Sequence, residues 1–245
     1  VEHDLPCDPY TLGVWLGDGS RGKPVVSYAA VDQATIDRVA TVYPTQSTWI
    51  HATTGVLTSS FTGLKTALIA AGVLNEKHIP EVYQQASLAQ RRALLDGLVA
   101  TDGSEGPDGR IRFVNTNPQL IAGVERLVRS FGWRTTHTVQ APARSSSGIQ
   151  GRLPVSTVSW TPRPLSTTRR RGIVAVEPIA PEPGRCIQVE SPDGLYLVSD
   201  HLVPTHNSQL CSIDFAGWYL GRNPEHRVIL ASFDAGLATG FSEQT

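Results

Sequence analysis

The chain has 245 residues, is 40% hydrophobic and 18% charged, and carries a formal net charge of −1. Such a composition describes a globular protein with room for one or two cored domains, and no apolar run approaches membrane-spanning length. Cys7, Cys186 and Cys211 are too few and too scattered for a disulfide framework or a zinc site. A reducing, cytoplasmic setting is the simplest expectation. The opening residues do not read as a signal peptide. Methionine is absent, so a fragment or processed piece is expected.

The near-neutral total conceals an asymmetry. Residues 1–109 sum to −5, residues 110–185 to +9 with 12 arginines against 3 acids, and residues 186–245 to −5. So basic a middle band suggests a surface that faces phosphates, although Arg169, Arg170 and Arg171 also read as a solvated loop.

Asp8 and Pro9 open a helix that runs from Tyr10 to Gly17 and stops at Asp18 and Gly19. Strands follow at 25–28, 47–51 and 56–61, with helices at 34–42 and 63–71. Ser87 and Gln90 have capping-box spacing and start a helix over 88–101, which ends at Asp102 and Gly103. A strand at 110–114 and a helix at 120–131 complete two rounds of helix, strands and helix.

In the first Asp-Gly helix, Gly13 and Gly17 share a face; in the second, Ala93, Gly97 and Thr101 do. Glycine inside a helix costs about 1 kcal/mol against alanine, so its use there points to close approach of another backbone. Packing the two helices on these faces would bring Asp18 and Asp102 side by side. Carboxylates at close range repel unless a cation neutralises them, and such oxygen ligands suit Mg²⁺. An Asp-Gly pair can also simply end a helix.

The two copies, TLGVWLGDG at 11–19 and LDGLVATDG at 95–103, resemble the paired motifs of the LAGLIDADG homing endonucleases, in the two-motif form embedded in inteins. The resemblance covers roughly residues 8–135. It implies a monomeric endonuclease in which Asp18 and Asp102 bind the Mg²⁺ ions that cut both strands of double-stranded DNA. Lys77, followed by His78, Ile79 and Pro80, matches the family's lysine near the scissile phosphates, where it would stabilise charge or polarise water. A loop lysine is otherwise simply solvated.

Near the C-terminal end, Leu202-Val203-Pro204-Thr205-His206-Asn207-Ser208 places three reactive side chains in succession. Asn207 can attack its own carbonyl through its carboxamide nitrogen, His206 can move a proton in that step, and Ser208 is a potential acyl acceptor. Asn and Ser are also ordinary turn residues. Upstream, 185–189 and 194–198 read as two short strands around a turn at 191–194. Residues 185–208 resemble the C-terminal splicing motifs of inteins, which would make Asn207 the last intein residue and Ser208 the first of the host protein. A strand segment at 171–176 fits the same all-β Hint fold. Cys186 stands where many inteins have Asp and, with Thr205, resembles the class that uses an internal cysteine as first acyl acceptor; a small buried strand residue is the competing reading. Gly194 departs from the second histidine that many inteins carry, with His201 nearby. The upstream splicing half and junction have no match before Asp8, so the chain alone is not expected to complete splicing and needs that half and its N-extein as partners.

After the junction, a helical pattern from Ser208 to Leu220 and an apolar strand at 228–233 suit the start of a P-loop ATPase. Residues 208–245 resemble the ATPase start of a phage terminase large subunit. The expected fold class is therefore α+β. An endonuclease domain of two αββα-type repeats would occupy 1–140, the C-terminal part of a Hint domain 141–207, and a short α/β C-extein tail 208–245. The setting would be the cytoplasm of a bacterial or phage-infected host cell. Rival readings are a LAGLIDADG fold that only binds DNA, and a packaging ATPase carrying an inert insert.

Overall fold

The computed structural model describes residues 2–142 and 151–163, and beyond them 189, 194–198, 202–205, 220–222 and 225. The chain divides into two compact units, Val1–Thr168 and Arg169–Thr245.

The first unit begins with helix α1 (Pro9–Asp18). Its start follows from local chemistry: Asp8 accepts from the Thr11 amide at 2.8 Å, and Pro9 has no amide to leave unpaired. Every residue from Tyr10 to Leu16 is buried, so α1 is a central helix covered on all sides. Next come β1 (Val25–Tyr28), α2 (Gln33–Ala40), β2 (Thr45–Ile50), β3 (Leu57–Phe61), α3 (Leu64–Ala70) and the short α4 (Glu81–Gln84). Helix α5 (Leu88–Asp102) starts with a complete capping box between Ser87 and Gln90. It leads into β4 (Gly103–Glu105), β5 (Ile111–Asn115), α6 (Pro118–Arg129), β6 (Thr135–Gln140) and β7 (Val155–Trp160). Among the described residues no helix is long and apolar enough to cross a membrane.

Two antiparallel sheets result, ordered β1-β3-β2 and β4-β5-β7-β6. In both, the last strand of the half inserts in the middle, β3 between β1 and β2 and β7 between β5 and β6. The register repeats as well: Gly19 bridges Val26, as Gly103 pairs with Phe113. The first half has one bridge where the second has β4. The architecture is α+β, but the halves are longer than the expected αββα repeats, because in each the connecting helix is followed by two more strands.

Strands β6 and β7 were not expected, and β7 fills the second sheet between β5 and β6. The first unit accordingly runs past residue 140, the boundary read from the sequence, to Thr168. Phe113, Val158 and Trp160 share the face of this sheet that enters the core with Leu94 and Leu98.

The opposite face carries Ser104, Arg112, Val114, Thr136, Thr138, Thr157 and Ser159 by register. On the first sheet the corresponding face pairs Ser27 with Thr58 at 3.0 Å and Ser47 with Ser60 at 2.7 Å, with Trp49 half-exposed beside them. Both outer faces are rich in hydroxyls, and of the four edge strands β2 and β6 are largely exposed.

In the second unit, β8 (Tyr196–Val198) pairs antiparallel with β9 (Val203–Thr205). The strand expected at 194–198 is thus present in part. The strands expected at 171–176 and 185–189, the turn at 191–194 and the elements of the tail lie wholly or largely outside the described residues.

Candidate active site

Helices α1 and α5 pack in parallel through their glycines. A Cβ on Gly13 would lie 2.8 Å from the Leu98 amide nitrogen, and one on Gly97 would lie 3.1 Å from the Gly13 Cα. One turn later a Cβ on Gly17 would fall 2.7 Å from the Thr101 Cβ. The contacts of Gly13 and Gly17 are closer than a real Cβ allows and that of Gly97 with the Gly13 Cα is tighter than most, so the helices approach to a distance that favours glycine at these positions. The next residue on each helix is an aspartate, Asp18 and Asp102.

The glycines after the aspartates serve a different need. Gly19 and Gly103 are extended rather than left-handed, with φ of −71° and −95°. A Cβ on Gly103 would sit 2.6 Å from the Val99 Cα, and one on Gly19 would strike the Trp15 ring. The chain folds back over the last helical turn there and turns directly into the sheet. The pair does end each helix, and it also aims each aspartate at one end of the helix pair.

Burial, and then the negative charge of Asp102, push the Asp18 carboxyl up to about 6, with the Lys77 charge opposing. Asp102 is raised by burial, against a 2.7 Å hydrogen bond that it accepts from Asn115 Nδ2 and the charge of Lys77. Lys77 stands at the same place: its Nζ donates to the Gly17 carbonyl at 2.8 Å and lies 5.3 Å from the Trp15 ring centre. Burial lowers its ammonium to about 8, while both aspartates favour its charged form. Asp18 and Asp102 therefore form an electrostatically strained pair with one lysine beside it.

The donor chemistry fits a divalent hard cation. Among the described residues no group of three or more His, Cys, Asp or Glu side chains could hold a metal by itself. The remaining ligands would be water and phosphate oxygens, which Mg²⁺ characteristically retains.

Sequence reasoning brought Asp18, Asp102 and Lys77 to this place, and missed Asn115. Nothing in a lone asparagine after an apolar strand marks it; only the sheet register does. Cys186, His206, Asn207 and Ser208 lie outside the described residues. Cys7 is buried, its thiol pushed up to about 12 by desolvation, and its amide and carbonyl both bond the Tyr83 hydroxyl at 2.9 Å. It is an inert packing residue.

No family model matches the chain. Solved structures similar to it include mesophilic variants of the homing endonuclease I-DmoI, with a TM-score of 0.42, 18% identity, and coverage of 63% of this chain and 87% of that one. I-DmoI in complex with DNA and Ca gives 0.41 and 18%, covering 63% and 82%. The N-terminal LAGLIDADG domain of WhiA gives 0.39 and 9%, covering 63% and 77%. In sequence, the replicative DNA helicase DnaB of Mycobacterium intracellulare is 35% identical over 223 residues, or 84% of this chain and 36% of that protein. The chain thus spans about a third of the length of this curated relative.

Proposed function

We propose that the first unit is a metal-dependent DNA endonuclease that makes a site-specific double-strand cut, carried within a protein-splicing element. The observation that supports it most is the aspartate pair at the joined ends of two glycine-packed helices, with Lys77 fixed on the Gly17 carbonyl beside it. A bound Mg²⁺ would supply Lewis acidity and a water of lowered pKa. The chain's own part is to present the carboxylate oxygens of Asp18 and Asp102 as ligands, and to hold the Lys77 ammonium towards a phosphate oxygen. The hydroxyl-bearing outer faces, with Arg112 exposed among them, offer donors for the phosphates of a duplex.

The splicing assignment stays with the sequence: Cys186 as first acyl acceptor, Ser208 as second, and Asn207 cyclising with His206 as proton donor. For the host, the helicase name of the relative favours a replicative helicase over the terminase large subunit suggested by the tail. The second unit has 77 residues, so a match covering 84% of the chain takes in most of the first unit too. An insertion shared by two genes of one host family would give that pattern.

The test is to incubate the chain and Mg²⁺ with duplex DNA of the uninterrupted helicase gene. One double-strand cut at the insertion point is expected, and intact DNA at all metal concentrations would remove the reading.

A further inference from the structure

Asp102 and Lys77 come from different parts of the chain, yet one short turn touches both. Asn115, the last residue of β5, donates from Nδ2 to Asp102 Oδ2 at 2.7 Å. Its own Oδ1 accepts from the Asn117 amide at 2.9 Å. Asn117 in turn donates from Nδ2 to the Lys77 carbonyl at 2.7 Å, while its Oδ1 caps α6 by accepting from the Gln119 amide at 3.0 Å. A continuous series of hydrogen bonds therefore runs from Asp102 through Asn115 and Asn117 to the Lys77 main chain.

Among the described residues the first half has no such brace. Because Val26 stands to Gly19 as Phe113 stands to Gly103, the place of Asn115 falls to Tyr28. Its hydroxyl bonds Ser59 Oγ at 3.1 Å, within the buried side of the sheet. Asn115 accordingly serves one aspartate of the two.

We propose that Asn115 and Asn117 are positioning residues of the site, Asn115 fixing the Asp102 carboxylate for its ligand role and Asn117 fixing the segment that carries Lys77. The inference rests on the endonuclease reading, and gives that site two unequal halves. A carboxylate held by an amide donor keeps one rotamer and one oxygen turned outward, whereas an unbraced one must be ordered when the ligand arrives.

Two variants separate the roles from folding. Asn115→Ala removes the donor to Asp102 and, with it, the acceptor of the Asn117 amide; Asn117→Ser keeps a good helix cap and loses the reach to Lys77. At saturating DNA, each should slow cutting by about ten- to a hundred-fold, with DNA affinity unchanged. Asn115→Ala should slow one strand more than the other and accumulate nicked duplex, while Asn117→Ser should slow both. Mn²⁺ titration of the full chain, followed by electron paramagnetic resonance, should show weaker binding for Asn115→Ala and wild-type binding for Asn117→Ser. Wild-type cutting of both strands by both variants, or wild-type Mn²⁺ affinity in Asn115→Ala, would overturn the assignment. If the wild type binds Mn²⁺ without cutting, the endonuclease reading fails alone and the titration still decides the brace.

Discussion

A methyl group on Gly17 would have to occupy the space of the Thr101 side chain, 2.7 Å from its Cβ. That contact is where the last turns of α1 and α5 meet, and it bears on the spacing of the two aspartates that follow. One turn earlier the obstruction is main chain: a Cβ on Gly13 meets the Leu94 carbonyl oxygen and lies 2.8 Å from the Leu98 nitrogen.

The distinction predicts different rescues. Gly13→Ala should destabilise the protein by about 1–3 kcal/mol, the usual cost of overpacking, because no side chain can move aside. Gly17→Ala should lose a similar amount and regain part of it when combined with Thr101→Gly. Urea denaturation midpoints at constant slope measure both effects. Wild-type midpoints in the single variants would mean that the helices are not in this contact.

The aspartate pair makes stability depend on pH. The folded-state pKa of Asp18 is about 6, above its ordinary 3.8, so the folded chain holds its proton more tightly than the unfolded chain. Stability is therefore lost as pH rises from about 4 through 6, and Asp18→Asn, which mimics the protonated form, escapes that loss. In metal-free buffer the variant should melt higher than wild type at pH 7, with the gap closing at about pH 4. Solvent reaches Asp18, which keeps the effect modest. Added Mg²⁺ should raise the melting point of wild type but not of the variant. A gap that persists at low pH would point to a packing effect instead.

The basic band gives a salt-dependent expectation. Arg112 lies on the outer face of the second sheet, with Arg110 and Arg134 exposed near its ends. Replacing all three by Ala should weaken DNA binding and lower the salt slope by up to about one unit per lost phosphate contact. An unchanged slope would return these arginines to the solvated surface.

Splicing is tested with the upstream half supplied. Asn207→Ala should block release of the tail and accumulate a branched species, and Cys186→Ala should remove that branch. Ser208→Ala should strand the acyl group on Cys186, and His206→Ala should slow release by about a hundred- to ten-thousand-fold. Mass spectrometry resolves these products. Ligated flanks in Asn207→Ala would defeat the mechanism.

The strong local signals were legible in the sequence: Asp8-Pro9, the Ser87–Gln90 box and the two Asp-Gly ends located α1 and α5 to within a residue or two. The small-residue faces also indicated which sides would meet. Strands β6 and β7 carry a weak sequence signal, although TTHTVQ and VSTVSW are rich in β-branched residues. Their hydroxyl-rich outer positions lack the apolar contrast that makes a strand obvious, because that face of the sheet is open. Asn115 and Asn117 could not be found from spacing at all. Their roles depend on register between strands, which a single sequence does not display.

The central claim, that Asp18 and Asp102 together cut DNA, is tested most directly by Asp18→Asn and Asp102→Asn on duplex DNA lacking the insertion. Each variant should lose Mg²⁺-dependent double-strand cutting while retaining most of its DNA affinity, which comes from phosphate contacts elsewhere. Double-strand cutting at the wild-type rate by either variant would contradict the account.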